Sequence, residues 1–242
     1  MAIQTFLAMT GAEIGISPLL PPKIAWMACQ FSPYGTGLSN LPRQLPPGSL
    51  LILDDMTPIR GHDPALIRDQ LAELTAVLKC SGILLDFQHP DCAETAALAK
   101  YLTEALPCPV AVSEPYAAEL DCPVFLPPVP PDVSLANHIA PWSGRELWLE
   151  IALDGLILSL TQTGASTAPL PPGTLLSEGY PEHNLHCHYH AEQTDQEAHF
   201  TLWRTTEDLE GLLEDAEKAG IHTAVGLYQE LQGLPFCERC IR

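Results

Sequence analysis

The side chains able to do chemistry in this 242-residue chain gather where its apolar runs stop. Ser49–Asp54 ends in Asp54-Asp55, and Gly82–Phe87 closes on Asp86-Phe87-Gln88-His89. Val110–Ser113 leads into Glu114, His199–Arg204 ends in Trp203-Arg204, and Thr223–Tyr228 leads into Tyr228-Gln229-Glu230. Carboxyl groups in unlike environments can divide acid and base work between them, and amides beside them can orient a polar ligand. Asp86, Gln88 and Glu114 belong to this strand-end set. Asp54, Asp55, Trp203, Tyr228 and Glu230 are the candidate ligand contacts. Each of these residues taken singly also suits a plainer role, capping a strand and bonding the backbone of the next loop.

Two further groups suggest metal chemistry. His183, His186, His188 and His190 lie within eight residues, with Cys187 among them. On a strand His186, His188 and His190 share one face, and three imidazoles on a face can chelate zinc or nickel. The surrounding sequence is polar and loop-like, which fits an exposed hairpin equally well. Cys237-Glu238-Arg239-Cys240 is a lone CxxC near the C-terminus. Without a second pair it specifies neither a zinc site nor a redox site. No G-x-S-x-G elbow, Walker loop or G-x-G-x-x-G motif is present, so no cofactor is expected.

The elements that position these groups read as alternating strands and helices. Strands are expected at Gln4–Met9, Ile24–Phe31, Ser49–Asp54, Gly82–Phe87, Val110–Ser113 and Val124–Leu126, and further on at Glu146–Leu153, Leu156–Thr161, His199–Arg204 and Thr223–Tyr228. Apolar runs without alternation mark parallel strands covered on both faces. Helices are expected at Pro64–Lys79, with Asp63 as N-cap, at Ala93–Leu106, and at Thr206–Ala219, ending at Gly220. Residues 49–113 and 199–228 thus read as βαβ units. Residues 114–198 break the pattern. The link from Glu114 to Val124 is too short for a crossover helix, and Asp154-Gly155 is a hairpin signal. These elements predict a short, degenerate (β/α)8 TIM-barrel-like α/β fold over residues 1–235, with a hairpin-containing insertion and a tail at 236–242. In such barrels ligands meet the strand C-termini, which is where the polar set lies.

Composition narrows the partners. The chain carries 30 acidic and 11 basic residues, a net charge of −19, which argues against nucleic acid and anionic membranes. No apolar run is long enough to span a bilayer. The first basic residue is Lys23, so the N-terminus lacks the cationic start of a secretory signal. The expectation is a cytoplasmic protein with its eight cysteines reduced. The expected partner is a small polar molecule, and the oligomeric state is open.

Ser81-Gly82-Ile83-Leu84-Leu85-Asp86-Phe87-Gln88 resembles the strand-four signature of glycoside hydrolase family 18, the chitinase-like barrels. That signature reads Asp-Gly-x-Asp-x-Asp-x-Glu. Gly82, Asp86 and the aromatic Phe87 match it, and Pro64–Lys79 lies where the family has a helix. Leu209–Glu230 is similar to the family's last helix and strand, with Tyr228 in place of a closing aromatic that is commonly Trp. The departures are Ser81 and Leu84 for two aspartates and Gln88 for the glutamate that donates the proton. An amide has no titratable proton near neutral pH. The resemblance implies a barrel in which Asp86 keeps its place beside a substrate acetamide while the standard acid is missing. It further implies a glycan ligand, for which Trp26, Phe31, Tyr34, Phe87, Tyr116, Trp203 and Tyr228 are candidate stacking platforms. Ordinary chitinase activity is not expected. Two alternatives remain open: an active glycoside hydrolase using Glu114 or Glu230 as its acid, and a metal-binding protein using the histidine cluster.

Overall fold

A computed structural model describes residues 3–17, 20–89, 92–171, 174, 176, 178–194 and 197–234. In chain order the first elements are β1 (Gln4–Met9), α1 (Gly11–Ile16), β2 (Ile24–Phe31), β3 (Leu38–Ser39), β4 (Leu50–Asp54) and α2 (Pro64–Leu78). Then come β5 (Gly82–Asp86), α3 (Ala93–Ala105), β6 (Val110–Ser113), α4 (Glu114–Ala117), β7 (Val124–Leu126) and α5 (Leu135–Ile139). A 3-10 turn, Ala140–Trp142, precedes β8 (Leu147–Ile151), β9 (Gly155–Thr161), β10 (Gly164–Pro169), β11 (Tyr180–Glu182), β12 (Cys187–Gln193) and β13 (Glu197–Trp203). The described part ends with α6 (Thr206–Lys218), β14 (Thr223–Leu227) and α7 (Tyr228–Leu231).

Eight parallel strands form a closed barrel in the order β1, β2, β4, β5, β6, β7, β8, β14. Closure follows because β1 pairs with both β2 and β14. Period-two alternation divides each strand between two cores. Leu51, Leu53, Ile83, Leu85, Leu149 and Ile151 face the helices. Phe6, Ala25, Leu50, Ile52, Leu84, Phe125, Trp148 and Val225 fill the barrel. Gly82 is required at the floor: a Cβ there would meet the Pro109 carbonyl oxygen at 2.9 Å and the Trp148 ring at 3.4 Å. The glycine is what lets the Pro109 carbonyl approach β5 closely.

The helices obey local signals. Asp63 caps α2 by accepting a hydrogen bond from the Ala65 amide (2.9 Å), and Pro64 opens the helix. Thr205 and Asp208 form a reciprocal capping box on α6, whose apolar stripe Leu209, Leu212, Leu213 and Ala216 is buried on the barrel. The crossover after β6 holds only the four-residue α4, as the short link predicts.

The insertion is a five-stranded antiparallel sheet, β10-β9-β13-β12-β11. Two local expectations fail here. Asp154-Gly155 does not turn a hairpin, because β8 pairs with β7 and β14 in the barrel while β9 pairs with β10 and β13 in the second sheet. The dipeptide instead carries the chain from one sheet to the other. Likewise β13–α6–β14 is no βαβ unit, because β13 runs antiparallel between β9 and β12. An apolar run reports burial on a sheet, and not which sheet. No helix among the described residues is long and apolar enough to cross a membrane.

Candidate functional site

Alternation along three strands builds the site. After Leu50 and Ile52 the next inward position on β4 is Asp54, after Leu84 on β5 it is Asp86, and after Trp148 on β8 it is Glu150. All three carboxylates line one cavity of about 80 Å³ at the strand C-termini, walled by Ala8, Met27, Ile52, Leu84, Phe125 and Val225. Asp54 and Asp86 stand in register on adjacent strands.

These acids are pushed toward their neutral forms. Burial raises the Glu150 carboxyl from 4.5 to about 7, reinforced by the charges of Asp86, Asp154 and Glu230. Burial also raises Asp86, with the hydrogen bond from Gln88 pulling the other way and the charges of Asp54 and Asp55 adding to the rise. Asp54 is raised by burial against the opposing hydrogen bonds from the Met56 amide and the Gln30 side chain. Those bonds measure 3.0 and 3.4 Å.

Gln88 is exposed at the rim, where its side-chain amide donates to Asp86 Oδ1. Asp55, next to Asp54 in sequence, is buried and turns to another task. Its carboxylate accepts the backbone amides of Gln88 (3.0 Å) and His89 (3.1 Å) and lies 3.1 Å from His89 Nδ1. Asp55 thus fixes the loop that carries Gln88, and Ser113 Oγ supports the same loop through both the amide and the carbonyl of Phe87 (2.9 and 2.7 Å).

The other expected residues are dispersed. Glu114 is exposed on α4 and accepts the Trp142 indole N–H at 3.2 Å. Tyr228 opens α7 with its hydroxyl 3.4 Å from Ser17 Oγ. Glu230 lies on α7, its carboxyl raised by burial and by Asp154. Trp203 is not brought to the cavity: it is buried on β13 with its ring stacked against His188, centroids 6.0 Å apart. Its neighbour Arg204 is buried as well, donating to the carbonyls of Val129, His186, Pro130 and Leu185. Arg204 thereby ties the second sheet to the loop after β7. Among the proposed stacking rings, Phe31 and Phe87 are fully buried core and the Trp26 indole donates to Asn40 O, whereas Tyr34 is 86% exposed.

Each described histidine of the cluster's expected face meets a carboxylate. His186 Nε2 is 2.9 Å from Asp215, His188 Nδ1 is 2.8 Å from Asp208, and His190 Nε2 is 3.6 Å from Glu192. His186 sits in a turn with φ 49°, so the three rings do not share one strand face. Among the described residues no group of three or more His, Cys, Asp or Glu is placed to hold a metal. Cys237 and Cys240 lie outside the described residues.

Glu150 is the site residue that sequence reasoning missed. It was hidden inside an apolar strand rather than placed at its end. A lone carboxylate between Leu149 and Ile151, in phase with Trp148, was the available signal.

The sequence matches no protein-family model and no curated protein. The structure does match solved ones. A plant class V chitinase mutant from Cycas revoluta in complex with (GlcNAc)3 superposes with TM-score 0.60 at 12% identity, over 98% of this chain and 99% of that one. A chitinase from Chromobacterium violaceum gives 0.58 at 9% identity, covering 93% of each chain. The chain has a chitinase-like barrel fold. The Bacillus cereus spore cortex-lytic enzyme SleL, with TM-score 0.57 and 10% identity, shares it over 99% of this chain and 73% of that one. The likeness is one of backbone course.

Proposed function

We propose that this chitinase-like barrel binds an N-acetylated glycan at its strand C-termini without hydrolysing it. The observation that carries the reading is Gln88. It stands beside Asp86 at the mouth and offers an amide where glycosidic cleavage needs a titratable proton. The cavity beneath, about 80 Å³, suits a small substituent such as an acetamido group, at about 30 Å³ per water-sized unit. A sugar ring would rest above it. Supporting polar contacts come from Asp54, Asp86 and Glu150, two of them anticipated from the strand ends. The protein would work in the cytoplasm, its described cysteines being free thiols.

Thermal unfolding with chito-oligosaccharides tests binding. Ligand at about 100 times Kd adds about 2.7 kcal/mol, which raises Tm by about 5–10 °C for a chain of this size. No shift with any chito-oligosaccharide overturns the glycan reading. Unactivated chito-oligosaccharides, whose alkoxide leaving group must be protonated, test the missing acid. The unmutated protein should cleave none, and Gln88→Glu should gain turnover by about 10²-fold or more over that background.

A second reading, an active hydrolase, is favoured only by Glu230. Its raised carboxyl is the better acid of the two outlying candidates, since Glu114 is exposed and engaged by Trp142. Turnover in the unmutated protein that disappears in Glu230→Gln would establish that reading instead.

A further inference from the structure

The eight barrel strands close on themselves, with only the two-residue β3 appended to β2, whereas among the described residues the inserted sheet has two longer edges, β10 and β11. They are built differently. β11 is three residues long and contains Pro181 and Glu182, two devices that discourage another strand from pairing. β10 is six residues long, Gly-Ala-Ser-Thr-Ala-Pro, with every residue exposed. It pairs with β9 in unbroken register from Gly164 to Pro169, with no bulge to twist the edge away. Its one proline is the last residue. No lysine or other charge guards it.

The missing charge extends beyond the strand. Residues 155–177 contain no Asp, Glu, Lys or Arg, although the chain is 17% charged overall; at that rate the stretch would carry about four such residues. A body of net charge −19 repels its own copies wherever its acids lie. The β9–β10 hairpin is a place where that repulsion is locally relieved.

We propose that β10 is a self-association edge: two copies of this chain pair their β10 strands antiparallel about a twofold axis, joining the two inserted sheets into one. A second copy is the occupant that this uncharged edge on an acidic body favours. Antiparallel pairing of identical strands is self-complementary. The small Ala, Ser and Thr side chains let two flat edges approach, and nothing charged is buried.

Two six-residue strands bury less than the 1,200–2,000 Å² (approximately) of a standard stable interface, so the dimer is weak and concentration-dependent. Its electrostatics make it salt-dependent in a characteristic direction. Raising salt from about 0.01 M to about 0.15 M shortens the Debye length from about 30 Å to about 8 Å, screening repulsion between the acidic bodies and strengthening the dimer.

Sedimentation equilibrium of the full chain across a wide concentration range, at both salt levels, is the test. The expected result is a monomer–dimer equilibrium that tightens with salt. Thr167→Asp, which sets two like charges against each other across the twofold, should weaken it about tenfold or more. Thr167→Val should preserve it, and Ala136→Asp on α5 should leave it unchanged. If Thr167→Asp fails to fold by circular dichroism, Ala165→Asp takes its place. A monomer at every concentration and both salts overturns the proposal. So does a dimer indifferent to both β10 aspartates, a dimer equally disrupted by Ala136→Asp, or a monomer that instead takes up a foreign extended peptide along β10.

Discussion

Glu150→Gln isolates the cost of holding a carboxyl in the cavity at the strand C-termini. Unfolded, Glu150 titrates near 4.5; folded, burial and the charges of Asp86, Asp154 and Glu230 move it to about 7. Between those values the folded chain keeps a proton that the unfolded chain has released. Stability therefore falls as pH rises from 4.5 to about 7, and the full cost persists above that. The gap, 7 − 4.5 = 2.5, at about 1.36 kcal/mol each, comes to about 3 kcal/mol. The side chain retains some exposure, and solvent screening trims this to about 2 kcal/mol. Glutamine matches the shape and cannot ionise. Urea unfolding of both proteins at pH 5 and pH 8 reads the difference directly. At pH 8 the variant should be more stable by about 2 kcal/mol, equivalent to about 4–8 °C in Tm. At pH 5 the two should nearly coincide. The rises on Asp54 and Asp86 act in the same direction but are present in both proteins, so they largely cancel in the comparison. A stability difference that is the same at both pH values, or a variant less stable at pH 8, refutes the reasoning. It would mean that Glu150 reaches solvent or finds a partner that stabilises its charge.

Other perturbations follow from the same geometry. Asp55→Ala leaves the amides of Gln88 and His89 without their acceptor, which should cost about 1–3 kcal/mol and weaken ligand binding by releasing Gln88 from its place beside Asp86. Arg204→Met strips a buried guanidinium from the carbonyls it serves; a loss of about 3 kcal/mol is expected, with hydrogen-exchange protection falling first in β12 and β13. Asp208 is held below the usual 3.8: burial works upward but is outweighed by hydrogen bonds from the Thr205 amide and hydroxyl and by His188. Its contribution is therefore complete above pH 3.8 and is lost as pH falls through the lowered value. His188→Ala should reduce that loss, seen as a shallower acid limb in a stability–pH profile.

The strand ends at 54, 113 and 126 were legible, and the end at 86 to within one residue, because each is an apolar run stopped by a polar or proline residue. From them the barrel and its C-terminal mouth follow, and with them Asp54 and Asp86. The capped helices at Pro64 and Thr206 were legible for the same local reason. The amide at position 88 was readable too, because the chemistry of a side chain does not depend on its surroundings. The partners of these groups were not readable. Asp54 and Asp55 are sequence neighbours with equal claims on a ligand, and only the direction of each side chain sends one into the cavity and the other to the Gln88–His89 backbone. Trp203 and Val225 both sit in apolar strands, yet one belongs to the inserted sheet and the other to the barrel, since pairing is decided by contacts distant in sequence. Glu150 marks the limit most clearly. Sequence alone shows an acid in a strand. The tertiary structure buries it and sets Asp86, Asp154 and Glu230 around it, and burial first, with those charges adding, moves its proton affinity into the neutral range.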